Sequence, residues 1–296
     1  MSAWIAVDWG TTQLRAWAMQ GAEAMEHASS RDGMGQLAPD GFEPALLNLV
    51  EPWLSGRTRV VACGMVGARQ GWIEATYQAT PCAPVADDPV QVPTRDARLD
   101  VRILRGVKQE QPADVMRGEE TQIAGFLAGH PGFDGVLCLP GTHSKWVQVS
   151  AGEIVSFRTF MTGEMFALLS TQSVLRHSVA ADGWDDAAFN EALQETLSKP
   201  ESLATKLFAI RARSLLQDAD AAAARAQLSG LLIGAELAAA RPYWLGQSVA
   251  LIGAPGLSRA YAAALTAQGL DPVVEDGSAM TLAGLCAAYA QLSETA

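Results

Sequence analysis

Short apolar runs separated by polar turns open the chain. Residues 4–7 are apolar up to Asp8, and in residues 14–19 the large side chains of Arg15, Trp17 and Met19 alternate with Leu14, Ala16 and Ala18. Continuous apolar runs of this length are typical of buried strands, and alternation is typical of half-buried ones. With a third strand expected over residues 24–29, the opening pattern predicts three strands, the first two joined by a polar turn.

Helical spacing begins after these strands. Apolar side chains recur every three or four positions over residues 42–54, at Phe42, Leu46, Leu49, Val50 and Trp53. This spacing predicts a helix, and residues 59–63, which are apolar after Arg59, predict a further buried strand. Residues 64–113 are rich in glycine and proline and have no clear period, so we expect loops and short strands that line a site.

The opening pattern returns near the middle of the chain. After a helix predicted over residues 119–128, the apolar residues 135–139 run into a second polar turn, and strands are expected over residues 145–149 and 153–160. The order, an apolar strand followed by Gly-Thr, is the same as at the N-terminus. This weak internal repeat predicts a duplicated plan.

The second half of the chain adds helical scaffold and one more buried strand. Residues 185–240 are alanine-rich and helical in spacing, and residues 249–252 predict a strand followed by a glycine turn. Helices are expected over residues 257–268 and 280–292.

Length and composition agree with two lobes. The chain has 296 residues, of which 49% are hydrophobic and 18% charged, as in a well-packed globular protein. Together with the repeat, this predicts an N-terminal lobe over residues 1–133 and a C-terminal lobe over residues 134–296, each with one of the polar turns.

The charge balance restricts the partners. The net charge of -11 disfavours nucleic acid and anionic membranes. A small anion can still bind, because a few arginines in a pocket outweigh a distant acidic surface. The cysteines have neither zinc-site nor Cys-x-x-Cys spacing, and no apolar run approaches roughly 18 residues. We therefore expect a cytoplasmic protein without a membrane segment.

Each polar turn carries the residue types that hold phosphate. In the first turn a carboxylate, Asp8, ends a strand, and Gly10, Thr11 and Thr12 supply close backbone approach, hydroxyls and amides. Taken alone, such a turn is equally typical of a polar hairpin. A second copy lies at Gly141, Thr142, His143 and Ser144. Two hairpins, one per lobe, would hold a triphosphate from both sides.

A third turn could receive adenosine against its backbone. It runs from Gly253 to Gly256 between a strand and a helix. The glycine spacing is not that of a dinucleotide fingerprint, and no P-loop motif occurs in the sequence. Rossmann and P-loop folds are therefore disfavoured.

Several runs resemble the 2-dehydro-3-deoxygalactonokinase family. They are the two hairpins, residues 64–72, residues 114–122 and residues 139–146. The resemblance covers nearly the whole chain. It implies the two-lobed actin/hexokinase-like (ribonuclease H-like) α/β fold, in which each lobe is a mixed sheet flanked by helices and the active site lies in the cleft between the lobes. It also implies phosphorylation of the 6-hydroxyl of 2-dehydro-3-deoxy-D-galactonate by ATP and Mg²⁺ in galactonate catabolism.

The resemblance also assigns roles to single residues. Asp8 is the expected metal-side carboxylate, and Glu119 is the expected catalytic base, because related sugar kinases carry Gly-Asp where this chain has Gly118-Glu119. The alternative for Glu119 and Glu120 is a favourable first-turn interaction with the helix dipole, worth about 0.3 to 1 kcal/mol. Asp114 stays open as a third candidate for the base.

The remaining candidates would bind ATP or the sugar acid. Those expected to contact ATP and its phosphates are Gly10, Thr11, Thr12, Gly141, Thr142, His143, Ser144, Lys145, Gly253 and Gly256. Those expected to contact the sugar acid are Arg69, Gln70, Arg117, Glu120 and Glu164. Arginine suits a carboxylate because its guanidinium offers two parallel donors. Surface arginines and a structural histidine are the alternatives.

Two other functions remain open. The chain could be a kinase for another sugar or sugar acid, since the nucleotide elements are shared among such kinases. It could also be a non-catalytic sensor that binds ATP and a sugar acid without turnover. Carboxylates at both Asp8 and Glu119 argue against the sensor. A homo-oligomer is compatible with the sequence.

Overall fold

The computed structural model describes residues 4–180, 182–217 and 219–294. The strands are β1 (Trp4–Trp9), β2 (Leu14–Gln20), β3 (Glu23–Ser30), β4 (Thr58–Cys63), β5 (Gln78–Ala79), β6 (Val90–Gln91), β7 (Leu99–Ile103), β8 (Val107–Gln109), β9 (Asp114–Met116), β10 (Gly135–Leu139), β11 (Ser144–Ser150), β12 (Glu153–Phe160), β13 (Val249–Gly253) and β14 (Val273–Asp276). The α-helices are α1 (Phe42–Val50), α2 (Glu119–Gly129), α3 (Thr162–Thr171), α4 (Asp186–Ser198), α5 (Leu203–Leu216), α6 (Ala221–Ala239), α7 (Arg241–Trp244), α8 (Pro255–Thr266) and α9 (Gly277–Glu294). Asp218, inside the predicted helical stretch, lies outside the described residues.

Contacts between Cα atoms divide the chain into two compact units. The first unit comprises Met1–Asp134, Val149–Ser156 and Glu275–Ala296. The second unit comprises Gly135–Gln148 and Phe157–Val274.

A six-stranded mixed sheet forms the centre of the first unit, in the order β3-β2-β1-β4-β7-β6. β1 pairs antiparallel with β2 and parallel with β4. Alternate side chains of β1 belong to different apolar clusters: Ile5 and Val7 pack with α1, whereas Trp4 and Ala6 pack with α9. Burial on both faces explains why this strand is a continuous apolar run.

The main sheet of the second unit has five strands in the order β12-β11-β10-β13-β14, with β10 parallel to β13. In each sheet, three strands that are consecutive in the chain lie side by side at one edge in reverse order, β3-β2-β1 and β12-β11-β10. Strands from later in the chain then extend each sheet from β1 and from β10. The predicted duplication of the strand plan is confirmed. Val136 and Cys138 of β10 pack with α4, α6 and α8. The helices α4, α5 and α6 are the scaffold predicted over residues 185–240.

Most predicted elements are present, with three differences. The helix predicted over residues 42–54 ends at Val50 and continues as a 3₁₀ turn over Glu51–Trp53, because Pro52 has no N–H for an α-helical hydrogen bond. β7 lies in the main sheet, although the sequence predicted only loops and short strands in residues 64–113. α3 and β14 were not predicted.

The closing helix, α9, packs on α2 in the first unit, a placement that the sequence left open. The two helices cross closely at two glycines. A Cβ atom on Gly284 would lie 1.8 Å from the carbonyl oxygen of Thr121, and one on Gly125 would lie 2.0 Å from the carbonyl oxygen of Met280.

Candidate active site

Asp8 lies near the end of β1, where the first polar turn begins. It sits directly opposite Arg15 on β2, and the two side chains form an ion pair. Burial raises the pKa of the Asp8 carboxyl, and the charge and hydrogen bond of Arg15 oppose that rise. Arg15 also donates to the Ser278 hydroxyl (2.8 Å) at the start of α9. Asp8 is thus a buried carboxylate with a fixed orientation.

Residues 33–35, called the strap below, hold the backbone of the first turn by hydrogen bonds and close packing. The Met34 N–H donates to the Gly10 carbonyl, and the Gly35 N–H donates to the Thr11 carbonyl, each at 2.9 Å. Gly33 has no room for a side chain, because a Cβ atom there would lie 2.3 Å from the Thr12 backbone. The side chains of Thr11 and Thr12 stay exposed. Sequence reasoning missed this strap, whose signal is the Gly-Met-Gly run.

A pocket of about 310 Å³ opens beside this turn. It is lined by Thr12, Gln13, Arg31 and Gln36. Arg31 brings a cation next to the predicted phosphate turn, and the sequence analysis had not selected it.

The start of α2 lies close to the strand ends that carry Asp8 and Cys63. β4 ends at Cys63, the register partner of Asp8. The next residue is Gly64, and a Cβ atom built on it would lie 3.5 Å from Asp8 Oδ1. A Cβ atom built on Gly118, just before α2, would lie 3.5 Å from the Gly64 Cα. Asp8 and Glu120 both act electrostatically on the Cys63 thiol. The predicted residues Asp8, Gly118 and Glu120 therefore share one region of the first unit.

Glu119 and Glu120 differ in their surroundings. Glu119 is half-buried, and its Oε2 accepts the Arg117 N–H at 3.0 Å. Glu120 is 1% exposed; its carboxylate accepts the Gly118 N–H at 2.6 Å and the Thr121 hydroxyl at 3.1 Å. Both carboxylates therefore satisfy backbone N–H groups at the start of α2, which agrees with the helix-terminus alternative.

The environment of Glu120 favours its protonated form. Burial raises the pKa of Glu120 to about 7, and the neighbouring Glu119 charge adds to the rise. The hydrogen bond from the Gly118 N–H and the charge of Arg117 oppose it. A carboxyl whose pKa is about 7 can hold or release a proton at physiological pH.

We expect Glu120→Gln to change how stability depends on pH. The folded-state pKa of about 7 lies above the usual 4.5, so the folded protein binds the Glu120 proton more tightly than the unfolded chain does. The stability from this group is present below pH 4.5 and is lost as the pH rises to about 7. At roughly 1.4 kcal/mol per pKa unit, the loss is about 3 kcal/mol, and the Gln variant should not show it.

The measurement is the free energy of unfolding from urea titrations of both proteins between pH 4 and pH 8. Glu23→Gln, at an exposed position on β3, is the control and should give a curve parallel to wild type. A Glu120→Gln curve that also runs parallel to wild type would contradict the raised pKa.

The two predicted substrate arginines lie in different settings. The Arg117 guanidinium stacks over the Tyr77 ring at 4.4 Å and donates to the Ala75 carbonyl at 2.6 Å. Its Nε and Nη1 atoms are buried without a hydrogen-bond partner. Arg69 and Gln70 are exposed in the turn after the 3₁₀ segment Met65–Gly67. Arg69 is thus accessible to a ligand, whereas Arg117 is held within the protein.

The second turn, between β10 and β11, is held by the start of α3. A Cβ atom on Gly163 would lie 2.2 Å from the Gly141 carbonyl oxygen, so α3 begins directly against the turn. The Glu164 N–H donates to the Thr142 carbonyl at 2.9 Å. The Glu164 carboxylate lies 2.6 Å from His143 Nε2. Two residues predicted for different ligands, His143 and Glu164, therefore contact each other.

Ser144 and Lys145 lie in β11 and are buried. The Ser144 hydroxyl lies 3.0 Å from the Tyr261 hydroxyl. Because side chains alternate along a strand, Lys145 faces the opposite side of the sheet. Neither side chain is exposed in the turn, unlike Thr142 and His143. Contact of Ser144 and Lys145 with phosphate stays a prediction.

A larger pocket of about 480 Å³ opens beside the second turn. It is bordered by the turn, by the starts of α3 and α8, and by one side of α6. The lining residues are Pro140, Gly141, Thr142, Thr162, Gly163, Phe166, Trp184, Arg225, Ser229, Leu232, Ile233, Ala254, Gly256, Leu257, Ala260 and Tyr261. The predicted Gly141, Thr142 and Gly256 come together here.

Thr162 and Gly163, which follow the strands of the second unit, were also expected to line a site, whereas the remaining lining residues were not selected from the sequence. The Arg225 guanidinium lies 5.0 Å from the Phe166 ring, and α8 begins at Pro255 without a side-chain cap. Gly253 does not line the pocket. It packs under the turn instead, where a Cβ atom would lie 3.2 Å from the Pro140 carbonyl oxygen.

The side chains around Asp8 fit a metal ion only together with a ligand. Within the described residues, no group of three or more His, Cys, Asp or Glu side chains could hold a metal ion. Mg²⁺ usually binds through one or two carboxylates plus substrate phosphates and waters. A partly buried Asp8, oriented by its ion pair with Arg15, beside two exposed threonines agrees with that mode.

Among the described residues, no helix is long and apolar enough to span a membrane.

Comparison with known proteins identifies relatives over the whole length. Residues 8–288 match the family described as 2-keto-3-deoxy-galactonokinase. A Rhizobium meliloti (strain 1021) protein assigned as a 2-dehydro-3-deoxygalactonokinase is 41% identical over 294 residues, covering 96% of this chain and 95% of that protein. The Escherichia coli (strain K12) 2-dehydro-3-deoxygalactonokinase is 35% identical over 287 residues, covering 95% and 96%.

Solved structures give the same assignment. A crystal structure from Sinorhizobium meliloti, assigned to the same enzyme, has a TM-score of 0.90 at 40% identity and covers 96% of this chain and 97% of that chain. Component A of the Acidaminococcus fermentans (R)-2-hydroxyglutaryl-CoA dehydratase, with a TM-score of 0.55 at 12% identity over 99% of this chain and 100% of that chain, shares the fold alone. The predicted actin/hexokinase-like fold is confirmed. The chain belongs to the 2-keto-3-deoxy-galactonokinase family.

Proposed function

We propose that this protein transfers the γ-phosphoryl group of ATP to the 6-hydroxyl of 2-dehydro-3-deoxy-D-galactonate, with Mg²⁺, in the cytoplasm. The observation that carries the proposal is the pocket of about 480 Å³ beside the second turn, in a chain of this kinase family. Its composition suits a nucleotide, and the carboxylates near Asp8 in the first unit suit the transfer chemistry.

The pocket offers separate surfaces for the parts of ATP. Leu232, Ile233 and Leu257 supply apolar area for the base. The uncapped start of α8 presents backbone N–H groups, which favour polar and anionic groups. Arg225 adds a positive charge inside a protein of net charge -11. The exposed Thr142 hydroxyl and backbone of the second turn would then face phosphate.

In the first unit, Asp8 is the proposed carboxylate for the ion that accompanies the phosphates. That ion would neutralise charge on the transferring phosphoryl group. Thr11 and Thr12 would contact phosphate through their hydroxyls, which the strap leaves exposed. Glu119 is the proposed base for the substrate hydroxyl, because its side chain is half-buried whereas that of Glu120 is fully enclosed.

The sugar-acid carboxylate needs a cationic partner. Arg69 is exposed beside Gln70 and is the proposed partner. Arg117 is held by Tyr77 and the Ala75 carbonyl, so we propose that it shapes this region instead of moving to the ligand. The paired His143 and Glu164 would border the phosphate region from the second turn.

The activity is tested with purified protein, ATP, Mg²⁺ and a panel of 2-keto-3-deoxy acids, read as ADP formed. We expect turnover with 2-dehydro-3-deoxy-D-galactonate, phosphorus NMR showing phosphate at the 6-position, and no turnover with glucose or glycerol. A kcat/KM for glucose equal to or above that for the acid would contradict the proposal. ATP binding without ADP release from any acid would indicate a sensor.

We expect Gly163→Ala to weaken ATP binding. The added methyl group would lie 2.2 Å from the Gly141 carbonyl oxygen, so α3 or the second turn must shift. The KM for ATP should rise about tenfold, a change of roughly 1.4 kcal/mol, while the KM for the sugar acid changes little. Gly129→Ala is the matched control, since its Cβ atom would meet nothing within 4 Å. A Gly163→Ala enzyme within twofold of wild type would show that the turn is not needed in this position.

A further inference from the structure

Glu236, in the last turn of α6, is a buried carboxylate at 3% exposure. Its Oε1 accepts the Trp146 indole N–H at 2.8 Å, and its Oε2 accepts the Tyr261 hydroxyl at 2.7 Å. The Thr162 hydroxyl also lies within hydrogen-bonding reach, and the Ser144 hydroxyl lies close to both Glu236 and the Tyr261 hydroxyl. Burial raises the pKa of Glu236, and hydrogen bonding by these side chains opposes the rise.

An ionised carboxylate can accept these hydrogen bonds together. Each of its oxygens has two lone-pair positions, so Trp146, Tyr261 and Thr162 can all donate to Glu236, while the single Ser144 proton can go either to Glu236 or to the Tyr261 oxygen. Hydrogen bonds to a charged acceptor are stronger than those between neutral groups, and a buried network of this kind holds its members in a single arrangement. Losing the acceptor would leave buried donors unsatisfied, which is costly.

The donors come from three different elements, and each borders the larger pocket or its turn. Ser144 and Trp146 lie on β11, directly after the second turn. Thr162 is the first residue of α3 and precedes Gly163, which packs on the turn. Tyr261 lies on α8. Thr162 and Tyr261 also line the pocket. One carboxylate therefore joins the turn, the start of α3 and α8 from beneath.

We propose that Glu236 is a positioning residue for the nucleotide: its carboxylate holds Thr162, Tyr261 and β11 in the arrangement that gives the pocket its shape. Glu236 does not line the pocket, so it acts through these neighbours. The proposal rests on the proposed function, since it takes ATP as the occupant of this pocket.

The test compares Glu236→Gln and Tyr261→Phe with wild type by calorimetric titration with a non-hydrolysable ATP analogue and by steady-state kinetics. The amide oxygen of glutamine can still accept the Trp146 N–H, but its NH₂ group would face the Tyr261 hydroxyl, which then has no acceptor on residue 236. We expect the Kd for the analogue and the KM for ATP to rise about tenfold or more in each variant. The KM for the sugar acid should stay within twofold. The double variant should be less than additive, because both changes break the same hydrogen bond.

Thr196→Val is the control for a general loss of stability. The Thr196 hydroxyl donates to the Leu231 carbonyl at 2.8 Å and is buried between α4 and α6, and it does not line the pocket. This variant should lower the melting temperature and leave the Kd for the analogue unchanged.

The outcomes separate the two proposals. Wild-type protein that does not bind the analogue would contradict the proposed function and the role of Glu236 together. Wild-type binding with an unchanged Kd in a destabilised Glu236→Gln would overturn the positioning role alone. Should Glu236→Gln fail to fold, an unchanged Kd in Tyr261→Phe, which keeps the ring in the pocket wall, would overturn it.

Discussion

Replacing Asp8 with asparagine is expected to lower kcat by about 10³-fold or more while the protein stays folded. The change keeps the size of the side chain and its place opposite Arg15, but it removes the charge that would orient the ion against the phosphates. The KM for the sugar acid should change much less. The measurement is kcat at saturating Mg²⁺, with circular dichroism to establish folding.

Asp100→Asn is the matched control for this prediction. Asp100 is also a buried, ion-paired aspartate of the same sheet, where it contacts Arg59 and Arg102. In the sheet, Asp100 is the register partner of Arg59, and Arg59 is the register partner of Trp4. Asp100 is therefore at the level of the opposite end of β1 from Asp8. This variant should lose stability and keep kcat. Near-normal turnover by folded Asp8→Asn protein would remove Asp8 from the mechanism.

Glu119→Gln is expected to lower kcat by about 10²- to 10⁴-fold with little change in ATP affinity. Glutamine keeps the size and can still accept the Arg117 N–H, but it cannot take the proton from the substrate hydroxyl. The measurement is kcat together with the Kd of an ATP analogue, so that a loss of binding is separated from a loss of chemistry.

Two neighbouring carboxylates serve as controls for Glu119. Glu120 follows it on α2 and faces about 100° away, into the protein, so Glu120→Gln should be far milder in kcat. Asp114 on β9 accepts the N–H of Val115, and Asp114→Asn should be close to wild type. A Glu119→Gln enzyme within threefold of wild type beside an inactive Glu120→Gln or Asp114→Asn would reassign the base.

Most of the longer strands, both polar turns and most helices could be predicted from the sequence, because their signals are local. The apolar run at β1, the alternation at β2 and the helical spacing at α1 each lie within a few residues. The two Gly-Thr turns were found because glycine and hydroxyl residues follow a strand end directly. The family resemblance rests on such short runs, and the comparisons confirm it.

Contacts between distant residues required the tertiary structure. The β7 strand lies in a segment of glycine and proline, and it was missed because its place beside β4 depends on pairing across about 40 residues. The pairing of His143 with Glu164, and the holding of Arg117 by Tyr77, likewise depend on how separate elements pack. No local pattern carries this information.

The division between sequence and structure has one physical reason. Hydrophobic period and turn chemistry act between neighbours in the chain, so the sequence by itself determined the order of the elements and the two phosphate-type turns. Burial and electrostatic environment arise only when elements pack. The structure alone therefore decided that α9 crosses α2 at Gly284, that the Glu120 pKa rises to about 7, and that Glu236 lies beneath the second turn.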